Sequence, residues 1–139
     1  MIITGIVEHG DARGRQLGFP TANIAFSDPG IDDGVWTAVV ETGEAQWAVA
    51  AVSIGRRSTF YAQQGQRLLE AHLLDFDQDL YGQVLRIRLT GLLRRQQSFP
   101  SLADLVMQLR EDVSATRTWA ATNCPWLLTP TRRPSEVGA

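Results

Sequence analysis

The chain contains no lysine, and all 13 of its basic side chains are arginines. Any phosphate recognition must therefore run on guanidinium groups, backbone amides or a metal rather than on an ammonium. A single cysteine, Cys124, excludes an internal disulfide and suits a reducing compartment. Only two histidines are present, His9 and His72, and neither sits in a zinc-ligand spacing. No apolar run reaches the ~18 residues of a membrane span, and the first residues lack the basic region and apolar core of a secretory signal. A net charge of −2 gives no electrostatic footprint for nucleic acid. These absences lead us to expect a soluble, cytoplasmic protein, monomeric, with no nucleic-acid or membrane partner.

What is present suits one domain. A chain of 139 residues with 44% hydrophobic side chains can build a self-sufficient core. Residues 2–8 are rich in β-branched side chains and read as a strand. A short extended piece ends near Phe26, and residues 27–34 are dense in turn formers. Residues 35–41 form a second strand, turning through 42–44 into residues 46–54, a hairpin partner apolar on both faces. Residues 55–66 read as a mobile loop. Residues 67–76 form the next strand, residues 77–82 turn the chain, and residues 84–89 alternate apolar and polar as a half-exposed strand does. Ser101 is positioned to cap one helix, with Asp104 three residues on. Leu102, Leu105, Val106, Leu109 and Val113 make one apolar stripe along it, and it should run to about Trp119. Many short strands and one C-terminal helix argue for a closed antiparallel barrel capped by that helix. We expect a domain over 1–122 and a tail over 123–139, its last ten or so residues disordered.

Two stretches carry chemistry. The first runs Gly10-Asp11-Ala12-Arg13-Gly14-Arg15-Gln16-Leu17-Gly18-Phe19-Pro20-Thr21-Ala22-Asn23. Its glycines allow close approach to a ligand, and its arginines suit phosphate oxygens. Thr21 and Asn23 lie two apart, so on an extended chain both side-chain oxygens share a face at roughly 6.5–7 Å between Cα atoms. Neutral oxygen ligands of this kind suit a magnesium ion arriving with nucleotide phosphates. A glycine-rich turn before a proline is equally compatible with a plain surface loop. It is neither a Walker A loop nor a dinucleotide fingerprint, since no helix follows it. The second stretch is Leu69-Glu70-Ala71-His72-Leu73-Leu74-Asp75-Phe76. Strand alternation puts Glu70 and His72 on one face and Ala71 and Leu73 on the other. Glu70 is then either an exposed strand carboxylate or a group held at a site; His72 alone reads as a structural histidine.

Taken together, the stretches resemble the signature of the riboflavin kinase (flavokinase) family, including the C-terminal kinase module of bacterial bifunctional FAD-synthesis enzymes. The resemblance runs in order from about residue 4 to 118. It includes Gly18-Phe19-Pro20-Thr21-Ala22-Asn23, Val52-Ser53-Ile54-Gly55, the Glu70 block followed by Asp79-Leu80-Tyr81-Gly82, and Leu93-Arg94 through Phe99. It implies a mostly β fold, a six-stranded antiparallel Greek-key barrel with one C-terminal α-helix. The implied reaction transfers the γ-phosphoryl group of ATP to the 5′-hydroxyl of riboflavin, giving FMN and ADP.

By the same resemblance, Thr21 and Asn23 would contact Mg2+ and the phosphates, and Gly10, Arg15 and Gly18 would belong to the flap over ATP. Glu70 would be the general base. Leu73, Asp75 and Tyr81 would line the nucleotide side, and Arg94 and Phe99 would sit near the flavin and its phosphate. Two departures stand out. Ser58 replaces a proline common in bacterial members, and Gln96 lies where the family often carries an acidic residue. No adenylyltransferase motif precedes the kinase-like region, so FAD synthesis is not expected. The rival reading is a barrel that holds flavin or FMN without turnover; a purely structural barrel leaves the glycine-rich segment unexplained.

Overall fold

The computed structural model describes residues 1–9, 18–26, 28–56 and 67–128. Among the described residues there are six strands: β1 (Ile2–Ile6), β2 (Ala22–Ala25), β3 (Gly34–Glu41), β4 (Trp47–Arg56), β5 (Arg67–Leu73) and β6 (Val84–Arg94). One helix, α1 (Leu102–Asn123), follows, and then a 3-10 turn over Pro125–Leu127. Strand order is β1-β6-β3-β4-β5-β2, with every pair antiparallel. Strands β3, β4 and β5 form a meander, and β6 returns to lie beside β3, which is the Greek-key order. The end strands β1 and β2 nearly close the barrel. Glu8 N–H donates to the Asn23 carbonyl at 2.8 Å across the gap. Gly5 permits this approach, because a Cβ there would lie 2.5 Å from Ile24 Cγ2.

The barrel interior follows from alternation. In β6, Leu85, Ile87 and Leu89 are buried while Val84, Arg86 and Arg88 face outward. In β5, Leu69, Ala71 and Leu73 point inward. β4 is buried on both faces, as its apolar run requires. Ala48, Ala50, Val52 and Ile54 belong to the barrel core, and Val49 belongs to a second cluster with Leu74, Ala120 and Cys124. Trp119, Leu127 and Leu128 pack against that second cluster, which is how α1 attaches to the outer face of the sheet. No helix among the described residues is long and apolar enough to cross a membrane.

The helix departs from its expected form in two ways. It ends at Asn123 rather than near Trp119, because nothing between those residues breaks it. Pro125 is the first residue unable to continue it, and Cys124 N–H closes the last turn on the Ala120 carbonyl at 2.8 Å. Its buried row is Asp112, Thr116 and Ala120 at i, i+4 spacing, not the apolar stripe, and Leu102 is exposed. Small and polar residues let the helix approach the sheet closely there. The N-cap forms as expected, with Ser101 Oγ accepting from Asp104 N–H at 3.1 Å. The expected loop over 55–66 lies outside the described residues beyond Arg56, and so does the end of the tail from residue 129 onward.

Candidate active site

Two cavities open beside each other on the β2–β5 side of the barrel. Described residues lining the smaller one, of about 120 Å³, include His9, Thr21, Asn23, Leu73, Asp79 and Tyr81. The larger one, about 410 Å³, is lined by residues including Asp33, Ser53, Gly55, Arg56, Glu70 and Gln96. That size falls in the range of small-molecule clefts. Strand β5 contributes lining residues to both cavities. Asn23 of β2 lies directly opposite Glu70 of β5, and Glu70 lies opposite Ser53 of β4. Directly opposed residues share a face, with Cβ atoms about 4.5–5.5 Å apart. A row Asn23–Glu70–Ser53 therefore crosses the outer face of the sheet.

Asn23 is buried, and its Oδ1 has no hydrogen-bond partner among the described residues. A buried acceptor left unpaired costs about 1–3 kcal/mol, so its retention points to a ligand. Thr21, half-buried and two residues earlier, lines the same cavity. The approach to this pair is fixed locally. His72 Nδ1 lies 2.8 Å from the Pro20 carbonyl oxygen, and the Phe19 ring meets the His72 ring edge-on at 5.7 Å. Gly18 adopts φ +89 with open space around it, so conformation rather than crowding requires glycine there.

The other expected site residues divide. Leu73 is buried against the smaller cavity, and Tyr81 stands at its mouth, its ring stacked on His9 at 3.7 Å. Asp75 lines neither cavity. It sits at φ 58 just after β5, and both its oxygens accept from the Arg117 guanidinium of α1, at 2.8 and 3.0 Å. Hydrogen bonding to Asp75 holds the Arg117 pKa above its ordinary value, against the opposing effect of burial. Arg94 ends β6, and its guanidinium lies 5.9 Å from the centre of the Phe99 ring. Gly10, Arg15 and Ser58 lie outside the described residues.

Gln96 explains its own departure from an acidic residue. Its Nε2 donates to Ser53 Oγ at 2.8 Å and to the Ile54 carbonyl at 3.0 Å. A carboxylate would have no proton for either acceptor. Three contributors escaped sequence reasoning. His9 stacks at the mouth of the smaller cavity. Arg67 donates to Asp33 Oδ1 at 2.8 Å and to the Asp28 carbonyl at 2.6 Å, which ties loop 28–33 to the larger cavity. Asp112 holds Arg94 through Nε and Nη2, at 2.8 and 2.7 Å. A charged residue interrupting the polar-apolar pattern in mid-helix was the one signal for Asp112.

Comparison with known proteins gives a consistent result. The family model described as "Flavokinase: Riboflavin kinase" matches residues 1–120. A bifunctional riboflavin kinase/FMN adenylyltransferase from Pseudomonas fluorescens is 40% identical over 120 residues, covering 86% of this chain and 38% of that protein. The chain thus spans well under half the length of this curated relative. A Streptococcus pneumoniae crystal structure, described as a macrolide-efflux protein, has a TM-score of 0.73 at 36% identity, over 85% of this chain and 38% of that one. The crystal structure of riboflavin kinase from Trypanosoma brucei has a TM-score of 0.61 at 29% identity, over 91% of this chain and 82% of that one.

Proposed function

The chain belongs to the riboflavin kinase family, and from that premise we propose that it transfers the γ-phosphoryl group of ATP to the 5′-hydroxyl of riboflavin. The products are FMN and ADP. The observation that carries this reading is the Asn23–Glu70 pair, which sets a buried oxygen with no partner among the described residues opposite a carboxylate, each lining a different cavity. A two-substrate transfer needs such a pair, with the donor in one cavity and the acceptor in the other.

Phosphoryl transfer passes through a loose transition state, so positioning and electrostatics supply most of the rate. Thr21 and Asn23 would hold Mg2+ with the nucleotide phosphates in the smaller cavity, and the Asn23 Oδ1 fits that role because no described residue pairs with it. Bound there, the metal would offset the charge of the phosphoryl oxygens. Both protein ligands are neutral, so the ion should enter as its nucleotide complex. Glu70, at the larger cavity, would accept the 5′-hydroxyl proton as the oxygen–phosphorus bond forms and the bond to the β-phosphate bridging oxygen breaks. Leu73 and Tyr81 support a nucleotide placed on the smaller side, and Arg94 and Phe99 support a flavin near the larger. The family role for Asp75 is better read here as holding α1 through Arg117.

A flavin-holding barrel without turnover would have no use for the Asn23 oxygen or a neighbouring carboxylate. The test is incubation with riboflavin and Mg-ATP, separating FMN from riboflavin. FMN appearing in step with ADP is expected; bound riboflavin that is never phosphorylated would overturn the proposal.

A further inference from the structure

Asp112 is a carboxylate buried in the middle of a helix, and such a group persists only when it is fully partnered. Its partners are unusually complete. Oδ1 accepts from Arg94 Nε at 2.8 Å and from Gln108 Nε2 at 3.0 Å, and Oδ2 accepts from Arg94 Nη2 at 2.7 Å. The Thr116 hydroxyl donates to the Asp112 backbone carbonyl at 2.8 Å. This bidentate fork fixes the guanidinium plane as a single ion pair could not.

The fixed guanidinium then grips the segment that follows β6 at both ends. Its Nη1 donates to the Arg95 carbonyl at 3.1 Å, and its face is 5.9 Å from the Phe99 ring. Between those grips lie Gln96, Gln97 and Ser98, which line the same larger cavity as Glu70. Gln96 extends the connection by donating to Ser53 Oγ and the Ile54 carbonyl on β4. A route of direct contacts thus runs from Asp112 through Arg94 to the segment that lines the larger cavity together with Glu70. No residue on it lines the smaller cavity.

We propose that Asp112 is a positioning residue for the acceptor half of the site, holding Arg94 so that Gln96, Gln97 and Ser98 keep their place in the lining of the cavity that Glu70 shares. This rests on the kinase reading above and assigns one substrate, not both, to the α1–β6 contact. Loss of the carboxylate should loosen riboflavin while leaving Mg-ATP untouched.

The experiment compares the wild-type chain with Asp112→Asn, Asp112→Glu and Thr116→Val. Riboflavin and ATP are varied separately, with direct fluorescence titration of riboflavin alongside. Asp112→Asn should raise the riboflavin KM and Kd about tenfold and leave the ATP KM within about twofold. Asp112→Glu keeps the charge and displaces it by one methylene, so it reports even if the amide variant folds poorly; about a threefold rise for riboflavin alone is expected. Thr116→Val loosens the same helix without touching the carboxylate, and should change neither constant. The proposal is overturned by riboflavin constants unchanged in both Asp112 variants, by parallel shifts for riboflavin and ATP, or by Thr116→Val reproducing the effect. If wild type forms no FMN, the kinase reading fails and the titration decides. Weaker flavin binding by the Asp112 variants still supports the positioning role, and equal binding, or no flavin binding by wild type, overturns it.

Discussion

Replacing Asn23 with leucine should stabilise the protein and remove its response to Mg-ATP. Asn23 is 8% exposed, and its Oδ1 has no partner among the described residues. The orphaned acceptor costs about 1–3 kcal/mol of desolvation. Leucine is close to asparagine in size and carries no polar atom, so Asn23→Leu recovers part or all of that cost. For a domain of this size, 1 kcal/mol corresponds to about 3–5 °C in Tm, so the ligand-free variant should melt about 3–10 °C higher. Mg-ATP raises the Tm of a protein that binds it by mass action, about 2.7 kcal/mol at a hundredfold excess over Kd. Wild type should gain that increment and Asn23→Leu should not. The assay is thermal unfolding by circular dichroism, with and without Mg-ATP. A variant that melts lower than wild type, or that Mg-ATP stabilises equally, would refute the reasoning.

Thr21→Ala should raise the magnesium concentration needed for half-maximal turnover at fixed ATP; an unchanged magnesium dependence would contradict a ligand role. Gly5→Ala should lower the Tm by about 3–10 °C, because its Cβ would sit 2.5 Å from Ile24 Cγ2 at the barrel closure and overpacking costs about 1–3 kcal/mol. An unchanged melting curve would mean the β1–β2 gap yields freely. Burial pushes the Cys124 thiol above its ordinary value of 9.0, so the folded state binds a proton that the unfolded chain releases first. The associated stability is complete at lower pH and falls as pH rises above about 9 towards the folded value. Alkaline titration of unfolding should therefore show wild type losing stability relative to Cys124→Ala above that pH, and parallel curves would contradict it.

The strands were legible because burial follows local alternation. The pattern of 84–89 gives the inward row of β6, and the apolar run of 46–54 gives a strand covered on both faces. Thr21 and Asn23, two apart on a chain expected to be extended, do line one cavity. What could not be read were partnerships set by the closed fold. Asp112 is buried only because Arg94, eighteen residues earlier, supplies a fork. Asp75 pairs with Arg117, forty-two residues on, a partner its own stretch gives no sign of. The split of the site into two cavities depends on β2 pairing with β5, a register no local pattern specifies. The helix stripe misled for a related reason. Its Val113 does pack against the second cluster, but the fully buried residues of the helix are Asp112, Thr116 and Ala120.

The central claim is that Glu70 serves as the base in the larger cavity. It is tested most directly by single-turnover phosphorylation of riboflavin by wild type and Glu70→Gln, with binding of riboflavin and of Mg-ATP measured on the same preparations. The account predicts that Glu70→Gln binds both substrates within about twofold of wild type and forms FMN about 10²–10⁴ times more slowly. An unchanged rate of FMN formation in Glu70→Gln would contradict it.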